Sequence, residues 1–303
     1  MRTKLITLTI LLSAATIMPA QQTYLSKEYI RAGGRPIAVE NYVDLSLTTA
    51  TDVTQSNPWT VVATADFNGD GVPDLVWQDP STGTVQIWFM TGANGTTILS
   101  AANITGSATT WKVVAAADFN GNGTPDLVLQ NPSGGAAEVW YLTVSGSSQQ
   151  YTVTYTTGSF NNGNGNTWNL LAAADFNKDG HPDLVWQDPT GGAIQIWYME
   201  GSLGTTLLGA AEIVTSTSLN VVATADFNGD GFPDLVMQNP TTGLLQVWFT
   251  STTQGGTNGA ILSSFTVTNS NPWRVKAAAI NGSPYFVWVG SSGFVQYWFM
   301  EDL

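Results

Sequence analysis

From Pro58 onward, apolar residues come in short runs separated by clusters of Gly, Asn, Asp and Pro. After Trp59 the runs VVATA, DLVWQ and VQIWFM follow one another, each rich in Val, Ile, Trp or Phe. Runs of this kind, bounded by turn-forming residues, predict β-strands. No stretch sustains the 3.6-residue period of an amphipathic helix. A fourth run closes the segment: TTILSAANI precedes Trp111, and TTLLGAAEI precedes Leu219.

The same pattern recurs five times. The first unit, WTVVATADFNGDGVPDLVWQDPSTGTVQIWFM, begins at Trp59, and its copies begin at Trp111, Trp168, Leu219 and Trp273, at spacings of 52, 57, 51 and 54 residues. Four short strands in a period of about 50 residues predict the blade of a β-propeller. The predicted fold is therefore all-β, a propeller of five four-stranded blades. The units run over about 59–110, 111–167, 168–218, 219–272 and 273–303, and the propeller as a whole over 42–303. The fifth unit ends at Leu303, just past its third strand, without a fourth. The run Tyr42–Thr49 (YVDLSLTT) is expected to supply that strand and close the ring, which removes an open sheet edge. An open array, or an arc of a larger ring, is the alternative.

Residues 1–20 differ from the rest. Arg2 and Lys4 precede an apolar run from Leu5 to Met18, then Pro19-Ala20, the order of a secretory signal peptide cleaved after Ala20. The run is shorter than the about 20 residues needed to span a bilayer. The mature chain is expected to be secreted, at the cell surface or periplasmic, without membrane insertion. The absence of Cys removes a lipid anchor, disulfides and a cysteine nucleophile. Residues 21–41 form a leader or adaptor segment, and YLSKEYIRAGGRPIAVEN (residues 24–41) resembles the short segment found in YD-repeat (Rhs-type) wall-associated proteins.

Charge narrows the function. Twenty-two acids against nine bases give a net charge of −13, which excludes a nucleic-acid surface built from clustered Lys and Arg. One His, His181, is too few for a His-rich zinc centre, and a His-based triad is improbable on the same count. Eleven of the 22 acids lie in four copies of D-x-N-x-[DN]-G-x-x-D between the first and second strands of a unit. The loops are Asp66-Asn68-Asp70-Asp74, Asp118-Asn120-Asn122-Asp126, Asp175-Asn177-Asp179-Asp183 and Asp226-Asn228-Asp230-Asp234. Oxygen groups at positions 1, 3, 5 and 9 suit a hard cation with six or more oxygen ligands, and the Gly at position 6 permits a sharp turn. Position 7 is Val72, Thr124, His181 or Phe232, a chemical mixture expected where the backbone carbonyl is the ligand. Carboxylates packed this closely repel one another without a cation. Ca²⁺ fits flexible many-oxygen cages better than Mg²⁺, so about four Ca²⁺ sites are expected, with the Asp118–Asp126 loop weakest because Asn122 replaces an acid. The fifth unit (Ile280-Asn281-Gly282-Ser283) lacks the acids and is expected to be metal-free.

These repeats resemble the FG-GAP/VCBS-type calcium-binding propeller repeats of bacterial surface proteins and integrin α-chains. The resemblance rests on the string DFNGDGxPDLVW…TGxxxxWxM and covers about residues 57–303. It implies a propeller whose loops bind Ca²⁺ for stability and whose faces bind a protein or glycan at a cell surface. No remaining acid pair, Ser/His arrangement or phosphate loop suggests catalysis. A monomeric, non-catalytic adhesion or recognition module is the expected function. The alternative is a multivalent lectin, in which Trp77, Trp186 and Trp288 present flat faces to sugar rings and Gln78 and Gln187 supply hydrogen bonds. Against it stands the expectation that the third-strand Trp residues pack one blade on the next.

Overall fold

The computed structural model describes residues 27–32, 35–41, 47–54, 59–92, 95, 97–133, 135–147, 150–160, 167–267, 274–281, 283–289 and 294–300. The predicted signal peptide and Trp273 lie outside them. The chain divides into two compact units, Met1–Asp44 and Leu45–Leu303. In the first, β1 (Lys27–Ala32) and β2 (Arg35–Asn41) form an antiparallel two-stranded sheet, with Lys27 opposite Asn41 and Ala32 opposite Arg35.

The second unit is an all-β β-propeller, four of whose blades each correspond to one sequence repeat. The first blade consists of β4 (Thr60–Ala65), β5 (Asp74–Gln78), β6 (Val85–Thr91) and β7 (Thr97–Asn103), paired in that order. The second contains β8 (Lys112–Ala117), β9 (Asp126–Gln130), β10 (Ala137–Ser147) and β11 (Gln150–Ser159). The third has β12 (Asn169–Ala174), β13 (Asp183–Gln187), β14 (Ile194–Glu200) and β15 (Thr206–Val214). The fourth has β16 (Asn220–Ala225), β17 (Asp234–Gln238), β18 (Leu245–Ser251) and β19 (Ala260–Val267). A further four-stranded sheet joins β20 (Arg274–Asn281), β21 (Ser283–Val289) and β22 (Phe294–Met300) to β3 (Leu47–Thr54). Of the strand expected at Tyr42–Thr49, residues 42–46 lie outside the described residues, and the described strand runs from Leu47 to Thr54. Its Thr-rich sequence favours an extended chain, and it pairs Val53 with Val295 and Leu47 with Met300.

Burial explains the composition of each strand. All five residues of β5, β9, β13 and β17 are buried, so these strands are covered on both faces and their sequences are nearly continuous in apolar residues. The period of two then sends alternate side chains into different cores. In β9, Leu127 and Leu129 pack with Val76, Ile87 and Phe89 of the preceding blade, whereas Val128 packs with Leu184 and Trp186 of the following one. The same division holds in β13, where Val185 joins Leu235 and Met237, and in β17, where Val236 joins Val275 and Phe286. Val287 of β21 lies in the cluster with Leu75, Trp77 and Trp88 of the first blade. Each sheet thus shares its core with its neighbours. The fourth strands are mostly exposed, with Ile98, Leu207, Leu208 and Leu262 at the outer rim.

A glutamine fastens each complete blade to the next. Gln187, at the end of β13, donates from Nε2 to the Leu219 carbonyl (2.7 Å) and accepts at Oε1 from the Val221 N–H (3.2 Å). Gln78 makes the same pair of bonds to Trp111 and Val113, and Gln130 to Trp168 and Leu170. Gln238 accepts from the Val275 N–H. The recipients sit beside a register shift that recurs in every first strand, as between Val113 and Ala115 or Val221 and Ala223. Gln187→Ala strands a buried N–H and C=O in each other's company and is expected to lower stability by about 1–3 kcal/mol in urea unfolding.

Candidate functional site: the four acidic loops

Each acidic loop joins the first and second strands of a blade and is wound tightly by its own side chains. In the first, Asp66 accepts N–H bonds from Gly69 and Asp70 at Oδ1 and from Gly71 at Oδ2, at 2.8, 3.2 and 2.8 Å. Asn68 Oδ1 accepts from the Asp70 N–H, and Asp70 Oδ1 from the Val72 N–H. The loop reverses through Gly69 and Gly71, both at positive φ (73° and 85°), where a side chain is disfavoured. The other loops repeat the pattern: Asp118, Asp175 and Asp226 each accept from the glycine at position 6 at 2.7–2.9 Å. At position 5, Asn122, Asp179 and Asp230 accept from the N–H of Thr124, His181 and Phe232. Phe67, Phe119, Phe176 and Phe227 turn inward from position 2 and are buried.

The ninth position behaves differently from the other three. Asp74, Asp126, Asp183 and Asp234 are fully buried at the first residue of the second strand. Asp74 Oδ2 accepts the Phe67 N–H (2.9 Å) and Oδ1 accepts the Met90 N–H of β6 (2.7 Å). Asp126 does the same with Phe119 and Leu142, Asp183 with Phe176 and Met199, and Asp234 with Phe227 and Thr250. One carboxylate thereby ties the loop to the third strand of its blade, a bracing role that the loop spacing alone did not disclose. Burial pushes its pKa up, outweighing the two backbone N–H donors that pull it down, and acids of the same loop add to the rise. The values are about 7 for Asp74, about 6 for Asp126, about 8 for Asp183 and about 6 for Asp234.

The donor set fits a hard cation in kind: every side chain at positions 1, 3, 5 and 9 carries oxygen, and the first and third of these stand at the surface or half-buried. Each carboxylate oxygen of the ninth position keeps a lone pair beyond the one used by its N–H donor. Among the described residues, no three acidic or imidazole groups already converge as a metal cage. The carboxylates at positions 1 and 5 are turned onto loop N–H groups instead. The carbonyls of Val72, Thr124, His181 and Phe232 would complete the coordination.

The indole and amide set expected to face sugar is internal. Trp77 and Trp186 are 1% and 2% exposed, stacked obliquely on Trp88 and Trp197 at ring-centroid distances of 4.8 and 5.0 Å. Gln78 and Gln187 are buried and committed to the inter-blade bonds described above. Doubly covered second strands leave these residues no face for a ligand, which corrects the expectation of sugar sites there. The side chain of Trp288 lies outside the described residues. Of the third-strand Trp residues, Trp88, Trp140, Trp197 and Trp248 pack between sheets, and each donates its indole N–H to a Gln or Glu two residues earlier; the side chain of Trp298 lies outside the described residues. Among the described residues a groove of about 320 Å³ runs between the third and fourth blades, lined by Asn169, Gln187, Asp188, Thr217 and Asn220.

The raised aspartates fix a pH dependence. In the unfolded chain an Asp ionises near about 4. In the folded, metal-free protein these four hold their protons up to about 6 to about 8. Their contribution to stability is therefore complete below about pH 4 and is lost as the pH rises through the folded values. Chelator-treated protein is expected to melt at a higher temperature at pH 5 than at pH 8; a lower melting temperature at pH 5 would contradict this.

A model described as an FG-GAP-like repeat matches residues 66–129, 118–186 and 175–237, and one described as an FG-GAP repeat matches 219–261. A search of curated proteins by sequence gave no significant match. Similar solved structures include a glucose dehydrogenase, with a TM-score of 0.41 and 10% identity over 84% of this chain and 99% of that one. BBS1N in complex with ARL6DN gives a TM-score of 0.40 and 12% identity over 86% and 97%. The Dos1 propeller gives 0.37 and 11% over 88% and 70%. Among the described residues no helix is long and apolar enough to cross a membrane. With the family models spanning 66–261 without a break, and each match opening on an acidic loop or on the strand that leads into one, the chain belongs to the FG-GAP repeat family.

Proposed function

We propose that this protein is a secreted or cell-surface recognition module, non-catalytic and monomeric, whose four acidic loops hold Ca²⁺ and are stabilised by it. The observation that carries the reading is the ninth-position aspartate. Four buried carboxylates lie beside other acids of their own loops, and their partners are backbone amides rather than cations. A divalent ion on the outer side of each loop offsets that repulsion. Asp66, Asn68, Asp70 and Asp74 with the Val72 carbonyl would hold one ion, and the matching residues of the other three loops would do likewise. What the ion supplies is charge compensation and a fixed turn. What the chain supplies is a rigid frame, since the loop and the third strand are already joined through one carboxylate.

The ring itself is read as five-bladed. Supporting this are the sheet of β20, β21, β22 and β3 and the positions of Phe286 and Val287, one in the core of the fourth blade and the other in that of the first. With β3 as its outer strand, that sheet has the same four-strand order as the complete blades. Closing the ring in this way joins the beginning of the propeller to its end. The partner is a protein or a glycan at a cell surface, met on a face or rim of the ring.

Calcium binding to the native state alone stabilises it in proportion to occupancy, by about 2.7 kcal/mol for one site at 100 times its Kd. The full chain is expected to melt several degrees lower in EGTA than in millimolar Ca²⁺; equal melting temperatures at pH 7.5 would overturn the reading. Among Asp66→Ala, Asp118→Ala, Asp175→Ala and Asp226→Ala, the Asp118 variant is expected to forfeit the least of the calcium-induced rise, since its loop carries one acid fewer.

A further inference from the structure

The third acidic loop is attached to the fourth blade by contacts that the first loop, as described, does not make. Its position 4 is Lys178, where loops one, two and four have Gly69, Gly121 and Gly229. All four residues adopt positive φ, at 73°, 68°, 54° and 72° in chain order, and Lys178 is the one non-glycine residue described in that region. A side chain is disfavoured there. The lysine reaches out of its own loop: Nζ donates to the Asp230 carbonyl of the fourth loop at 2.6 Å and lies 3.8 Å from the centre of the Phe232 ring. Gly231 lies between these two contacts, and an added Cβ there would meet the ammonium.

The fourth blade also grips the third loop from its outer side. In the segment between β18 and β19, the Gly255 N–H donates to the Asn177 carbonyl (2.7 Å), and Gln254 Nε2 donates to the Lys178 carbonyl (3.4 Å). Asn177 is consequently fully buried, whereas its counterparts Asn68 and Asn120 are half-buried and Asn228 is exposed. Loops three and four therefore form one mechanical unit, with a positive charge delivered from one loop onto the backbone of the other.

We propose that Lys178 is a tethered cation that clips the third acidic loop to the fourth and competes there with a bound metal ion. The proposal rests on the calcium reading above for its second half. The ammonium holds the Asp230–Phe232 turn while no ion is present and opposes a second cation beside Asp226 and Asp230. Ca²⁺ entering the fourth loop must therefore work against Lys178, and filling that loop loosens the clip on the third.

Two variants of the full chain test this. K178M keeps the stem over Phe232 and loses the charge; K178G gives the third loop the residue that the other three have. In metal-free protein, hydrogen exchange at residues 226–232 is expected to quicken several-fold in both variants while exchange in residues 66–72 stays unchanged. Calorimetric titration with Ca²⁺ alone is expected to show one site tightened by about three- to tenfold in K178M. Unchanged exchange at 226–232 would overturn the clip. Quickened exchange with an unaltered calcium isotherm would overturn the competition. A wild-type chain that takes up no Ca²⁺ defeats the calcium reading and the competition with it, and the exchange result then decides the clip alone.

Discussion

The loop face of this propeller depends on one carboxylate per blade. Asp74 and its three counterparts accept one N–H from their own loop and one from the third strand, so the turn, the second strand and the third strand are held by a single buried group. An asparagine of the same shape cannot accept two such donors, because one of its two polar atoms is itself a donor. The demand for a double acceptor therefore places an ionisable group where burial and neighbouring acids oppose its ionisation. That conflict makes the loops candidates for cations: the acid serves the fold, and a metal on the outer side would relieve the charge the fold imposes.

The five residues DLVWQ, and their variants DLVLQ and DLVMQ, are the working unit of the repeat. The Asp at the start binds the strand to its own blade, and the Gln at the end binds it to the next. Between them the second and fourth side chains fill the core toward the preceding blade, and the third fills the core toward the following one. Each sheet is therefore incomplete alone, and its stability is inseparable from its neighbours, as in other repeat architectures. In the fifth unit Val289 stands where the complete repeats have Gln, so the junction from that sheet to the first blade lacks the amide fastening.

Much of this was legible in the sequence. Strand order and loop positions follow from a pattern that occurs several times, because repetition separates what the fold requires from what varies by chance. The role of the repeated Gln was not legible, since a polar residue at the end of an apolar run reads equally well as a ligand contact. Only the burial of both sheet faces shows that it meets the next blade's main chain. Trp77 and Trp186 were ambiguous for the same reason: an indole suits a sugar platform or a core, and geometry decides. The described strand that pairs with β22 overlaps the expected run Tyr42–Thr49 at Leu47–Thr49 and continues to Thr54, a Thr-rich stretch whose hydropathy is too low to mark it as a strand. Lys178 carried a sequence signal, the single departure from Gly at position 4, whose meaning required the neighbouring blade.

Whether bound cations balance the buried acids of the four loops is decided by counting the ions. Equilibrium dialysis of the chelator-treated full chain against Ca²⁺ at pH 7.5 is predicted to show saturable uptake approaching one ion for each of the four acidic loops, abolished when the ninth-position aspartates are replaced. Uptake that never exceeds the level of a propeller without such loops would contradict it.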